Sequence, residues 1–216
     1  MKRRDWAILL AAWLVVAVGL IGGIVLMQSR SGSASSLPTV RPPTVVATFT
    51  VEYVEVTARR LYPLAEAEAK AWQPDVKLAG VSAAWPQTAL NLVGKPVAWQ
   101  YRFYSPSQNW LYFVSVTPDG QVSGSPHLRS ESRPPATFSA DDWQIDSVQA
   151  LAGWLDSGGG RFLGQNPGEQ VIAQLGLDPA RGRLEWSVAG LDATGQKYWM
   201  AVIDASSGQV SLPPGN

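Results

Sequence analysis

From Ala7 to Met27 the chain is apolar without a single charged residue. A helix rises 1.5 Å per residue, so about 20 apolar residues cross a bilayer core. The pattern predicts a transmembrane helix over 7–27, because hydrocarbon offers a backbone no partner outside its own helix. Lys2, Arg3 and Arg4 precede the run, and Trp6 suits an interface. The positive-inside tendency puts residues 1–6 in the cytoplasm and everything after Met27 outside it. The run exceeds the apolar core of a cleaved leader, so an uncleaved single-pass anchor is expected. Gly19 and Gly23 form a G-x-x-x-G spacing within it. That spacing lets two helices approach closely, so a homodimer through the span is one expectation.

The pattern then breaks. Residues 28–56 open with Ser and Gly and continue with Pro38, Pro42 and Pro43. Such a stretch reads as a spacer, flexible and then extended. Its end, Thr44 to Val56, is rich in Val and Thr and reads either as a leading strand or as ordered linker.

Beyond it, helical and alternating stretches take turns. Leu61–Trp72 predicts a helix, with Pro63 in its first turn and Leu64, Ala67 and Ala71 on one face. Leu78–Trp85 is a short apolar run. Val97, Trp99, Tyr101 and Phe103 alternate with polar positions, and Trp110–Val116 follows as a second strand after a polar loop. Pro118-Asp119-Gly120 makes a turn. Ser125–Pro135 reads as polar connector, within a boundary region of 125–140. Ser147–Asp156 predicts a helix capped by Asp146 and stopped by Gly158-Gly159-Gly160. A short helix is expected over Gly168–Leu175. Leu184, Trp186 and Val188 then alternate, as do Tyr198, Met200 and Val202.

This order repeats. Each half places a helix before a hairpin, begins the hairpin at a Trp (Trp99, Trp186) and ends it on Gly-Gln-Val (120–122, 208–210). A hairpin with one apolar face needs a cover, and a helix laid on it gives an α+β layer. The expected fold is therefore α+β, built of tandem helix-plus-antiparallel-hairpin units over 57–124 and 141–216, behind one transmembrane helix.

The final stretch, Leu184-Glu185-Trp186-Ser187-Val188 and then Tyr198 through Asp204-Ala205-Ser206-Ser207-Gly208-Gln209-Val210, resembles the PepSY domain family. Ala69–Asp75, Trp99-Gln100-Tyr101 and Asp119–Val122 look like a degenerate copy lacking the Asp-Ala-x-x-Gly turn. The resemblance implies a non-catalytic domain of the bacterial cell envelope that binds or restrains a peptidase. It supplies no catalytic residues. Taken alone, Asp204 and Gly208 are turn chemistry, and Trp99 and Trp186 are core.

Composition narrows the chemistry. Seventeen basic and seventeen acidic residues leave no net charge, so a nucleic-acid partner is not expected. No cysteine is present, which excludes disulfides and thiolate chemistry. The lone His127 sits in the expected connector, with no G-x-S-x-G turn and no second His. Asp141-Asp142 and Glu66/Glu68 are spaced to diverge. No catalytic, metal or cofactor site is expected. Ten Trp is high, and Tyr104, Trp110 and Trp199 are the candidate interaction residues, expected on the sheet face opposite the core. Two functions compete: a membrane-anchored interaction or regulatory module that meets an envelope protein such as a peptidase, and a self-associating structural or sensory head.

Overall fold

The computed structural model describes residues 56–85, 98–128, 133–166 and 170–213. The expected span 7–27, with Gly19 and Gly23, lies outside them, as does the linker up to residue 55. Among the described residues, no helix is long and apolar enough to cross a membrane.

Helix α1 (Ala58–Trp72) starts at Thr57, whose hydroxyl accepts the Arg60 N–H at 3.3 Å. That start precedes the expected Leu61, so Pro63 lies inside the helix and not in its first turn. Ala58, Leu61, Ala65 and Ala69 are buried. The expected stripe of Leu64, Ala67 and Ala71 points outward, with Leu64 43% exposed. Four strands follow: β1 (Lys77–Trp85), β2 (Trp99–Ser105), β3 (Trp110–Val116) and β4 (Val122–Leu128). The last replaces the expected connector: it is exposed along its whole length and carries Pro126. Proline has no N–H to donate, which suits an outermost strand.

The second half repeats that order. Helix α2 (Ser147–Trp154) is capped by Asp146. The three glycines do not stop it. A wide π-type turn over Leu155–Gly159, with Gly158 at φ 123°, passes the chain into α3 (Gly160–Gln165). The expected helix over Gly168–Leu175 is strand instead: β5 (Gln170–Asp178), followed by β6 (Arg183–Leu191), β7 (Tyr198–Asp204) and the short β8 (Val210–Ser211). Val171, Ala173 and Leu175 alternate in burial, and that period of two fits the sheet.

All eight strands form one antiparallel sheet in the order β4-β3-β2-β1-β5-β6-β7-β8. The halves join where Val81–Trp85 of β1 pair with Val171–Leu175 of β5. The two halves have corresponding rows: Trp99, Val116 and Val122 lie in one, and Trp186, Ile203 and Val210 in the other. Helices α1 and α2 both contact the face that carries these rows. At its centre Ala83 pairs with Ala173. The rings of Trp99 and Trp186 meet at 6.2 Å although β1 and β5 separate their strands, so both lean inward over small side chains. Trp85 and Trp143 extend this edge-to-face cluster at 5.9 and 5.8 Å. Aromatic pairs in this arrangement add about 0.5–1.5 kcal/mol beyond the area they bury.

Candidate interaction surfaces

With both helices on one face, alternation presents the other residues of each strand on an open face, half-buried between neighbours. The three aromatics expected there do not gather on it. Trp199 shares the parity of the buried Ala201 and Ile203, so it lies on the helix-covered face. Its ring packs on Gly158, where an added Cβ would stand 2.5 Å away. Its carbonyl accepts the Trp154 indole N–H at 3.1 Å. Trp110 has the parity of Tyr112 and Val114, again the covered face, in the other half. Tyr104 alone has open-face parity, yet it is buried, and its hydroxyl bonds Asn109 Oδ1 at 2.9 Å. The open-face set of β7 is instead Tyr198, Met200 and Val202, which alternation alone made to look like core.

His127 is not in a loop but on β4, where Ser125 Oγ lies 3.0 Å from Nε2 and Phe113 meets the ring edge-on at 4.9 Å. A serine nucleophile needs a base that a third group orients. Among the described residues no such group bonds this ring. Asp141 and Asp142 cap a short 3-10 turn with Ser139, and Glu66 and Glu68 bond Tyr62 and Tyr112 separately, so neither pair converges. No group of three or more His, Asp or Glu among the described residues is arranged to hold a metal ion.

Two hollows lie at one end of the second half. Arg181 lies in the β5–β6 turn and Arg183 opens β6, and Arg181 reaches Asp178 and Glu185 at 3.6 Å each. On the open-face side, Arg183, Glu185, Asp204 and Ser211 line a hollow of about 180 Å³. On the other side, Phe138, Leu177 and Leu184 floor a hollow of about 330 Å³ whose polar wall is Asp142, Arg183, Asp204 and Ser206. Asp204 holds its turn by accepting the Ser206 and Ser207 N–H groups at 3.0 and 2.8 Å, and the Ser207 bond sets its carboxyl below the usual range. Glu185 goes the other way. Its side chain is only 13% exposed, and burial pushes its carboxyl up, aided by Asp178 and Asp204 against the pull of Arg181. Carboxylates at different protonation set-points, two guanidinium groups and an apolar floor make a surface suited to a polar, partly apolar partner segment. Sequence reading passed over Arg183 and Glu185. Their signal was their position, at the start of the strand that bears Trp186.

Comparison with known proteins gives no match to a protein-family model, to a curated protein or to a solved structure.

Proposed function

We propose that the chain is a membrane-anchored, non-catalytic interaction module, displayed outside the cytoplasm and built of two PepSY-like units. Its recognition surface is the charged end around Arg183, Glu185 and Asp204. Its partner is another protein of the envelope, and the resemblance favours a peptidase. One observation supports the reading: both hollows are lined in part by the stretch that bears the resemblance, through Glu185, Val202, Asp204 and Gln209 in one and Leu184, Asp204 and Ser206 in the other. The anchor reading rests on the apolar run 7–27 and the basic residues before it. Regulation would be steric, the module covering part of its partner, because the side chains here offer contacts and no oriented nucleophile.

Two experiments test this. The chain lacks cysteine, so Ser123→Cys on the exposed β4 reports sidedness by itself. A membrane-impermeant maleimide should label it in intact cells, and labelling only after lysis contradicts outward display. In-cell crosslinking and pull-down should recover an envelope protein that a linker-only anchor misses, and Arg183→Glu should lower that recovery. Recovery of the chain itself alone would favour the self-associating head.

A further inference from the structure

One row of the open face carries opposite charges at equal distances from its centre. Arg102 on β2 pairs with Gly80 on β1, and Gly176 on β5 pairs with Glu185 on β6. Val81 pairs with Leu175, so the glycines flank the junction of the halves and the row reads Arg102, Gly80, Gly176, Glu185. The two glycines are not alike. The Arg102 guanidinium lies over Gly80, with Nη2 3.3 Å from where a Cβ would stand, and donates to the Ala79 carbonyl at 3.1 Å. Gly176 has nothing within 4 Å of that position, so the sheet is bare there, beside Glu185.

A twofold axis laid along the strands between β1 and β5 sets β1 against β5 and β2 against β6 of a facing second copy, row by row. It brings the Arg102 guanidinium of the second copy over bare Gly176 and against Glu185, and the reverse pair forms across the axis. In the next row Gln100 faces Ser187 and Ser82 faces Gln174, so donors meet acceptors. In the row beyond, the small Ala84 faces the large Ile172. One operation matches charge, hydrogen bonding and size together, which is the self-complementarity that a twofold interface requires. We propose that two copies of this chain dimerise through their open sheet faces about this axis. Facing sheets pack about 10 Å apart with their strands within about 30° of each other, a gap that Arg and Glu side chains span. On β3, Phe113 would face Asp204 on β7, so the contact is confined to the four central strands. Those present roughly 19 by 25 Å, and the pair buries about 1,000 Å² in all, the lower end of specific interfaces. The charge pairs therefore set register and exclude other faces more than they add affinity. This goes beyond the envelope-protein reading: it draws Glu185 into the dimer and leaves the hollow floored by Phe138, Leu177 and Leu184 to a partner.

The test uses purified full-length protein in detergent micelles, with no envelope protein present, so it succeeds or fails independently of the proposed function. The chain has no cysteine of its own. Two differently tagged copies, one Ser82→Cys and the other Gln174→Cys, should join in a mixed disulfide under mild oxidation. A pair that both carry Ser123→Cys, far from the axis on β4, should not join. Arg102→Glu in both copies, or Glu185→Arg in both, sets like charges face to face and should lower the crosslinked fraction by about fivefold or more. Arg102→Glu together with Glu185→Arg should restore it. Near-UV circular dichroism of the tryptophans checks that each variant is folded. The proposal is overturned by no crosslink between positions 82 and 174, by a crosslink that folded single reversals leave unchanged, or by a double reversal that is folded and fails to restore it. A dimer that persists without that crosslink, held by another part of the chain, overturns it as well.

Discussion

The indole N–H of Trp186 donates to the backbone carbonyl of Ile145 at 2.8 Å, just ahead of the Asp146 cap of α2. Its counterpart in the first half, Trp99, donates to Val56 at 2.7 Å, just ahead of the Thr57 cap of α1. Each half thus pins the start of its helix to the tryptophan that opens the β2–β3 hairpin or lies early in β6. The two pins differ in one respect. Ile145 also receives the Trp143 indole N–H at 2.8 Å.

That difference predicts unequal losses. Trp99→Phe leaves the Val56 carbonyl without its indole donor in a buried site, costing about 1–3 kcal/mol beyond lost packing. Trp186→Phe leaves Trp143 in place and should cost less. Urea unfolding of the two variants measures the order, and equal losses would argue against the shared-acceptor account.

Asp146 serves both helices. Its Oδ1 accepts the Ser147 N–H at 2.6 Å and the Arg59 N–H of α1 at 3.1 Å, while Ser147 Oγ accepts the Ala58 N–H at 3.1 Å. An ordinary cap is worth about 0.5–2 kcal/mol. Asp146→Ala should fall at the top of that range or above it, and Asp146→Asn should recover most of the loss. Equilibrium unfolding of the pair, read at α1 by hydrogen exchange, shows whether the first half loosens with the second.

Glycine at 158 is required twice, by its φ of 123° and by Trp199 packed where a Cβ would stand. Gly158→Ala should cost about 1–3 kcal/mol. Gly164 lies in α3 with open space around it, so Gly164→Ala should be neutral or stabilising by up to about 1 kcal/mol. Thermal unfolding of both variants gives the contrast.

Acid should weaken the fold through its turns. Asp75 is held low by the Ser107 N–H and the Ser105 hydroxyl, and Asp204 by the Ser207 and Ser206 N–H groups. A carboxyl whose folded pKa is depressed stabilises fully above its unfolded value near 3.9, and that contribution fades as pH falls through the folded value. Glu185 is raised, so the unfolded chain releases its proton first and stability declines as pH climbs from about 4.3 through the folded value. Denaturation midpoints across pH should therefore show a shallower acid limb for Asp204→Asn. Glu185→Gln should gain stability toward neutral pH.

The aromatic strands could be read from the chain because Trp99, Tyr101 and Phe103 keep a strict period of two and bury one face. β4 could not. Its residues are Ser, Gly, Pro and His between two aliphatic ends, and an edge strand with no buried face leaves no hydrophobic signal. β5 looked helical because its alternation runs through Ala, Gln and Gly around an apolar Ile172. The three glycines read as a stop because a positive φ usually ends a helix, whereas here it makes a wide turn that receives the Trp199 ring. Parity misled most at the candidate surface. Along β7 the odd positions from Trp199 to Ile203 and the even positions from Tyr198 to Val202 are both mostly apolar, and only packing on α2 decides between them.

The account turns on a partner meeting the charged end of the second half. A photo-crosslinking residue at Gln209, exposed beside Arg183 and Asp204, can be compared in living cells with one at Ser107, exposed in the β2–β3 loop of the other half. The account predicts an adduct with another envelope protein from position 209 and none from 107. Equal adducts from both positions, an adduct with the chain itself alone, or none from 209 would contradict it.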